Sequence, residues 1–94
     1  MIDMIRQKIR FYGNVQGVGF RYTAKYAARQ LGLTGWVYND YDGSVLMEVQ
    51  GNPETIEKLI SRIEERPFII IENMDVKEIP VLENEWEFFV KDSF

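Results

Sequence analysis

The strongest constraint on the fold is a change of hydrophobic period across one short glycine-rich stretch. Residues 5–12 alternate apolar and polar side chains, which predicts a half-buried strand. From about residue 20 to residue 31 the apolar side chains recur at intervals of three and four, which predicts an amphipathic helix. The stretch between them, residues 13–19, contains three glycines. The chain is therefore expected to pass directly from a strand into a helix through a tight loop.

The rest of the chain repeats these two kinds of pattern. Strands are predicted at residues 34–39 and 45–50, joined by a turn at residues 40–43 that ends on glycine. A second helix is predicted over residues 53–65, because an Asn-Pro-Glu start precedes it and a proline follows it. Two further strands are predicted from their apolar positions, which are Ile71, Met74 and Val76 in the first, with a bulge or irregular start, and Trp86, Phe88 and Val90 in the second.

This order of elements predicts the fold class. Two amphipathic helices must each bury an apolar stripe, and a half-buried sheet offers one apolar face. The βαββαβ order with right-handed crossovers predicts an α+β, two-layer ferredoxin-like sandwich. In this arrangement the sheet is mainly antiparallel, the first and third strands are central, and both helices cover one face. With 94 residues and no linker, residues 1–94 are expected to form a single domain.

Composition excludes several kinds of site. The chain has no cysteine, so disulfides, thiolate nucleophiles and zinc–thiolate clusters are excluded. It has no histidine, so the usual acid–base group at neutral pH and the commonest metal ligand are also missing. We therefore expect no cofactor and no metal. The formal net charge of −4 argues against nucleic-acid binding, which depends on basic patches.

The expected location is the cytoplasm, with no membrane contact. The longest apolar run, residues 68–71, is far shorter than the roughly 20 residues that span a bilayer. The first six residues lack the charged start, apolar stretch and cleavage site of a signal peptide. We also expect the protein to be a monomer.

The glycine-rich stretch has the properties of an anion site. Its glycines allow several backbone N–H groups to turn toward one small anion, and the start of a helix adds N–H groups that have no partner inside the helix. Arg21 lies in the first turn of the predicted helix, where a cation opposes the helix dipole at a cost of roughly 0.3–1 kcal/mol. A phosphate or carboxylate bound by the amides and the guanidinium would remove that cost.

Two motifs together resemble the acylphosphatase family: Gly13-x-Val15-Gln16-Gly17-Val18-Gly19-Phe20-Arg21, and Gly35-Trp36-Val37-x-Asn39-x-x-Asp42-Gly43-x-Val45. The resemblance covers essentially the whole chain. It implies the ferredoxin-like fold and hydrolysis of small acyl phosphates to carboxylate and inorganic phosphate, without metal or covalent intermediate. It also implies roles for individual residues. The phosphoryl group would be bound by the Arg21 side chain and by the loop amides of Val15, Gln16, Gly17, Val18, Gly19 and Phe20, and Asn39 would hold the attacking water.

The chemistry of an acyl phosphate is compatible with this set of residues. The bond releases a carboxylate, a good leaving group, so a site without histidine, cysteine or metal can still break it. An asparagine such as Asn39 is ordinarily interpreted as a strand-end residue that satisfies the local backbone. It becomes a candidate catalytic residue only in combination with Arg21. We expect a phosphate oxygen of the substrate to accept the proton of the attacking water.

Two other functions are compatible with the predicted fold. Basic side chains on the first strand, Arg6, Lys8 and Arg10, with aromatic side chains on the same sheet, could bind single-stranded RNA. Alternatively, the domain could bind an anion or effector without catalysis. The chain also departs from the family after the second helix, where the family commonly has Gly-Pro-Pro and this chain has Arg66-Pro67-Phe68. The isoleucines that follow could cover the edge of the core or form an association surface.

Overall fold

The computed structural model describes residues 3–92, and within that range it contains all seven predicted elements. The strands and helices, in chain order, are β1 (Ile5–Asn14), α1 (Phe20–Gln30), β2 (Thr34–Asn39), β3 (Val45–Gly51), α2 (Pro53–Glu64), β4 (Ile70–Ile79) and β5 (Phe88–Lys91).

The strands form one sheet in the order β4-β1-β3-β2-β5. Every neighbouring pair is antiparallel except β2 and β5, which are parallel. The prediction that β1 and β3 are central is confirmed, as is the α+β ferredoxin-like fold. Since β1 and β2 are both antiparallel to β3, they run in the same direction as each other and as β5. The carboxyl ends of these three strands therefore lie at one edge of the sheet.

The core lies between the sheet and the two helices. α1 contributes Phe20 and three alanines, whose small side chains allow the helix to approach the sheet closely, and α2 contributes larger aliphatic side chains. These helix residues form one cluster with buried residues of the sheet, among them Ile9, Phe11, Val37, Met47 and Phe88. Neither helix of the described chain is long and apolar enough to cross a membrane.

The predicted irregularity in β4 is a β-bulge. The pairing with β1 passes from Tyr12 opposite Asn73 to Gly13 opposite Ile71, so Glu72 is the extra residue. The isoleucine-rich run before the bulge is divided between the core and the surface. Ile69 is buried in the core, whereas the side chains of Phe68 and Ile70 are exposed at the edge of the sheet.

The prediction that Trp86 belongs to the last strand is wrong. β5 begins at Phe88, and the Trp86 side chain is 81% exposed. The physical reason lies in the preceding residue, because both carboxylate oxygens of Glu85 accept hydrogen bonds from Arg6. This long-range ion pair draws the chain across the face of the sheet opposite the helices, so regular strand pairing starts only afterwards.

Arg6 is fully buried, which the interpretation of β1 as an exposed basic strand did not foresee. Its guanidinium donates to Glu48 at 2.9 Å and to Glu85 at 2.7 Å and 3.2 Å. Burial lowers the pKa of Arg6, but the hydrogen bonds to Glu85 and Glu48 outweigh it, so the pKa is raised overall. Arg6 therefore stays charged and is fully engaged inside the protein.

Candidate active site

The topology brings the loop after β1 close to the end of β2. Phe11 of β1 and Asn39 of β2 both lie opposite Val45 of β3. The three residues are therefore neighbours across the sheet, and their side chains lie on the same face. That face is the one covered by the helices, because Phe11 packs against Phe20 with ring centroids 4.9 Å apart. Asn39 therefore lies on the same side of the sheet as the first turn of α1, which carries Arg21.

The loop between β1 and α1 has the left-handed backbone that its glycines predict. The φ angle is 73° at Gly17 and 83° at Gly19. A Cβ at either position would meet no atom within 4 Å, so it is the backbone conformation, not the available space, that requires glycine there. Gly19 is also the N-cap of α1, and no side chain caps that helix. The amides of the first turn are therefore left for another partner.

A cavity of about 290 Å³ lies at this edge of the sheet, lined by Val15, Gly17, Gly19, Phe20, Arg21, Tyr22 and Asn39. Six of the eight residues predicted for the site thus line one cavity. The remaining two do not. Val18 packs against the core, and the side chain of Gln16 binds the turn between β2 and β3. Tyr22 was not predicted, and its position immediately after Arg21 at the exposed start of a helix was the only signal.

Asn39 contributes an unusual polar atom to the site. Its Oδ1 is buried, and it is the one buried side-chain oxygen or nitrogen within residues 3–92 that has no hydrogen-bond partner. Leaving a carbonyl oxygen in this state costs about 1–3 kcal/mol. A hydrogen-bond donor that reached this atom would remove that cost.

Arg21 is partly open to solvent, with 34% of its side chain exposed. Its Nη1 lies 3.8 Å from Oδ1 of Asp92, which follows β5 at the same edge of the sheet and is 95% exposed. A pair this long and this exposed stabilises little. The first turn of α1 contains no acidic residue, so the guanidinium remains accessible to an anion from solution.

A charged network on the opposite face holds the turn that follows Asn39. Arg10 donates to the carboxylate of Asp40 at 2.8 Å and to Oγ of Ser44 at 2.6 Å, and that hydroxyl in turn donates to Asp42 at 2.6 Å. The hydrogen bond to Asp40 raises the pKa of Arg10. Hydrogen bonds from the side chain and backbone N–H of Ser44 lower the pKa of Asp42. Within residues 3–92 no group of three Asp, Glu, His or Cys side chains is arranged to hold a metal ion.

Comparisons with known proteins identify the family. The acylphosphatase family model matches residues 7–90. The chain belongs to the acylphosphatase family. It is 46% identical over 80 residues to an acylphosphatase of Ligilactobacillus salivarius, covering 83% of this chain and 89% of that protein. It is 39% identical to an acylphosphatase of Clostridium beijerinckii, covering 94% of this chain and 99% of that protein. The crystal structure of acylphosphatase from Bacillus subtilis superposes with a TM-score of 0.83 at 31% identity, covering 93% of this chain and 98% of that one. The resemblance to the acylphosphatase family that the two motifs indicated is therefore confirmed.

Proposed function

We propose that this protein is an acylphosphatase that hydrolyses small acyl phosphates to a carboxylate and inorganic phosphate. The observation that carries the proposal is the cavity that left-handed glycines, Arg21 and Asn39 line together, with the amide oxygen of Asn39 buried and unpaired within residues 3–92. The family match and the named relatives support the same activity.

The phosphoryl group would be bound by backbone and guanidinium together. The loop of residues 15–20 supplies N–H groups, and the uncapped start of α1 adds its amides and the positive end of its dipole. Arg21 supplies a planar pair of donors suited to two phosphate oxygens. Donors held in this way before the substrate arrives would stabilise charge on the equatorial oxygens of the transition state.

Asn39 would hold the attacking water. Its buried Oδ1 can accept a hydrogen bond from that water, and the side chain lies in the same cavity as the phosphate-binding groups. The water oxygen forms a bond to phosphorus while the bond from phosphorus to the acyl oxygen breaks. The bonding electrons leave with the carboxylate, and the proton of the water passes to a phosphate oxygen.

The leaving group explains how so few side chains suffice. A carboxylate is already a weak base, so it needs no general acid, whereas an alkoxide from a phosphate monoester normally does. Positioning and charge stabilisation supply most of the catalysis in phosphoryl transfer. Positioning and charge stabilisation are the two contributions that we assign to the residues lining the cavity.

The structure offers little support for the RNA-binding alternative. Of the basic residues on β1, Arg6 is buried in ion pairs and Arg10 is bound to Asp40. Trp36, one of the aromatic side chains that could stack on bases, is buried, and Lys91 lies 4.4 Å above its ring. A silent anion-binding domain would have no use for a buried, unpaired amide oxygen in a residue that lines the anion cavity, which favours catalysis.

A direct assay tests the proposal. Purified protein should release inorganic phosphate from acetyl phosphate and from benzoyl phosphate, at the same rate with and without EDTA. Arg21→Gln should lower kcat/KM by about 10²–10³-fold, as expected for the loss of an oxyanion-binding donor. Arg62→Gln, at the far end of α2 in a contact with Gln30, serves as the control and should retain full activity. A protein that binds phosphate but releases none from either substrate would contradict the proposal.

We propose that residues 1–94 act as one domain and as a monomer, in the cytoplasm and without a nucleic-acid partner. Sedimentation of the purified protein would test the oligomeric state. Titration with labelled single-stranded RNA would test whether the protein binds nucleic acid.

A further inference from the structure

We propose that the side chain of Gln16 is a positioning residue that fixes Asn39 for the attack of water. This inference rests on the proposed function. It assigns the side chain of Gln16 a role in addition to the phosphate contact proposed for its backbone amide. The sequence motif suggested only a backbone contact with phosphate for this residue.

The side-chain amide of Gln16 bridges two carbonyl groups of the turn after Asn39. Its Nε2 donates to the carbonyl oxygen of Asp40 at 2.6 Å and to that of Ser44 at 2.8 Å. Both acceptors lie far from Gln16 in sequence, at separations of 24 and 28 residues. An NH₂ group has two hydrogens, so one group can make both bonds.

These two carbonyls are the ones that close the β2–β3 turn. The N–H of Asp40 donates to the carbonyl of Ser44 at 3.0 Å, and the N–H of Gly43 donates to the carbonyl of Asp40 at 3.2 Å. Gln16 therefore binds the turn at its base, one peptide bond after Asn39. These two hydrogen bonds thereby join the phosphate-binding loop to the turn next to the residue proposed to hold water.

Asn39 needs such external support. Its Oδ1 accepts no hydrogen bond from any residue in the range 3–92, so no contact at that atom fixes its direction. The position of the side chain then depends on the backbone of β2, which ends at Asn39, and of the turn that follows. Arg10 holds the turn through the side chains of Asp40 and Ser44, and Gln16 holds it through their backbone. Since a displacement of about 1 Å in a reacting group can cost 10²-fold in rate, a loosened turn should slow the chemical step.

The test separates this role from phosphate binding. Gln16→Met keeps the length of the side chain but removes both donors, and we expect it to lower kcat for acetyl phosphate by about 10- to 100-fold. The inhibition constant of inorganic phosphate should change less than threefold, because Arg21 and the loop amides remain. The matched control is Gln30→Met, on the exposed end of α1, which should leave both values unchanged.

A double-mutant cycle shows whether Gln16 acts through Asn39. In an Asn39→Ala background, Gln16→Met should cause no further loss of the residual rate, because the group that it positions is absent. Fully multiplicative losses would overturn the proposal, and so would a Gln16→Met variant with normal kcat or with weakened phosphate inhibition alone.

Should Gln16→Met fail to fold, Gln16→Asn takes its place. That amide is too short to reach both carbonyls, and the same fall in kcat is expected. A wild-type protein without hydrolase activity would refute the proposed function instead.

Discussion

Two asparagines in this chain provide a matched test of the assignment of Asn39. Asn39 has a buried Oδ1 without a partner in the described chain, whereas Asn52 is the N-cap of α2 and its Oδ1 accepts from the N–H of Glu54 at 2.9 Å. The same substitution, Asn→Ala, should therefore have opposite consequences at the two positions. At Asn39 it removes a polar atom that is costly to bury, and at Asn52 it removes a satisfied cap.

The magnitudes follow from these environments. Removing the unpaired oxygen of Asn39 relieves about 1–3 kcal/mol, and the lost packing of the amide offsets part of this, so the free energy of unfolding should stay constant or rise by up to about 2 kcal/mol. Loss of the cap at Asn52 should lower the free energy of unfolding by about 1 kcal/mol. For a domain of this size, 1 kcal/mol corresponds to a shift in Tm of roughly 4–8 °C.

Of the two variants, the one that keeps its stability, Asn39→Ala, should be the one that loses activity. Asn39→Ala should lower kcat for acetyl phosphate by about 10²-fold or more while inorganic phosphate inhibits within a few-fold of its normal constant, because the lost group acts on water. Asn52→Ala should keep its kcat. Thermal unfolding and phosphate release on the same two preparations measure both effects. The reasoning is refuted if Asn39→Ala loses as much stability as Asn52→Ala, or if it loses phosphate binding and keeps its rate at saturation.

Three further predictions concern the phosphate-binding groups and the turn. Arg21→Lys should lower kcat/KM by about 10²-fold, because a point charge does not replace the planar fork, and near-normal turnover would count against a two-point contact. Gly19→Val should raise the phosphate inhibition constant more than it changes the unfolding midpoint, since only the loop must leave its left-handed conformation; an unchanged constant would show that the loop tolerates a side chain. The hydrogen bonds from Ser44 lower the pKa of Asp42 in the folded protein, so its contribution to stability is present above its ordinary pKa of about 4 and is lost as the pH falls through the lowered value. Unfolding midpoints of wild type and Asp42→Asn between pH 2 and pH 6 should therefore converge toward low pH, and parallel curves would exclude the effect.

The sequence predicted the elements that depend on local patterns. Alternation in β1, the helical period of α1 and the Asn-Pro-Glu start of α2 all correspond to observed elements, since each pattern reflects which side chains face the core. The order of these elements was then sufficient to predict that β1 and β3 are central. Arg21 and Asn39 line one cavity, because β1 and β2 end at the same edge of the sheet, and their roles in a reaction stay a prediction.

Contacts between distant residues were not predictable in the same way. Arg6 lies in an alternating strand, where its charge suggested exposure, but Glu48 and Glu85 accept its hydrogen bonds from 42 and 79 residues away. The side chain of Gln16 is a similar case, because its partners belong to a turn at another point of the chain. Local composition carries no signal of such pairs, and they become visible only when the strand register is known.

The starts of the two helices show how one chain separates stability from function. α2 begins with an asparagine cap, a proline and an acid in the first turn, all of which satisfy or complement its free amides. α1 begins with a left-handed glycine, no side-chain cap and the cation Arg21, so its amides and its dipole are uncompensated. Physical rules that the chain follows at α2 are broken at α1, beside the one buried and unpaired amide oxygen in residues 3–92. A bound phosphate and its attacking water would satisfy all of these groups at once, which is the physical reason for proposing that the reaction takes place there.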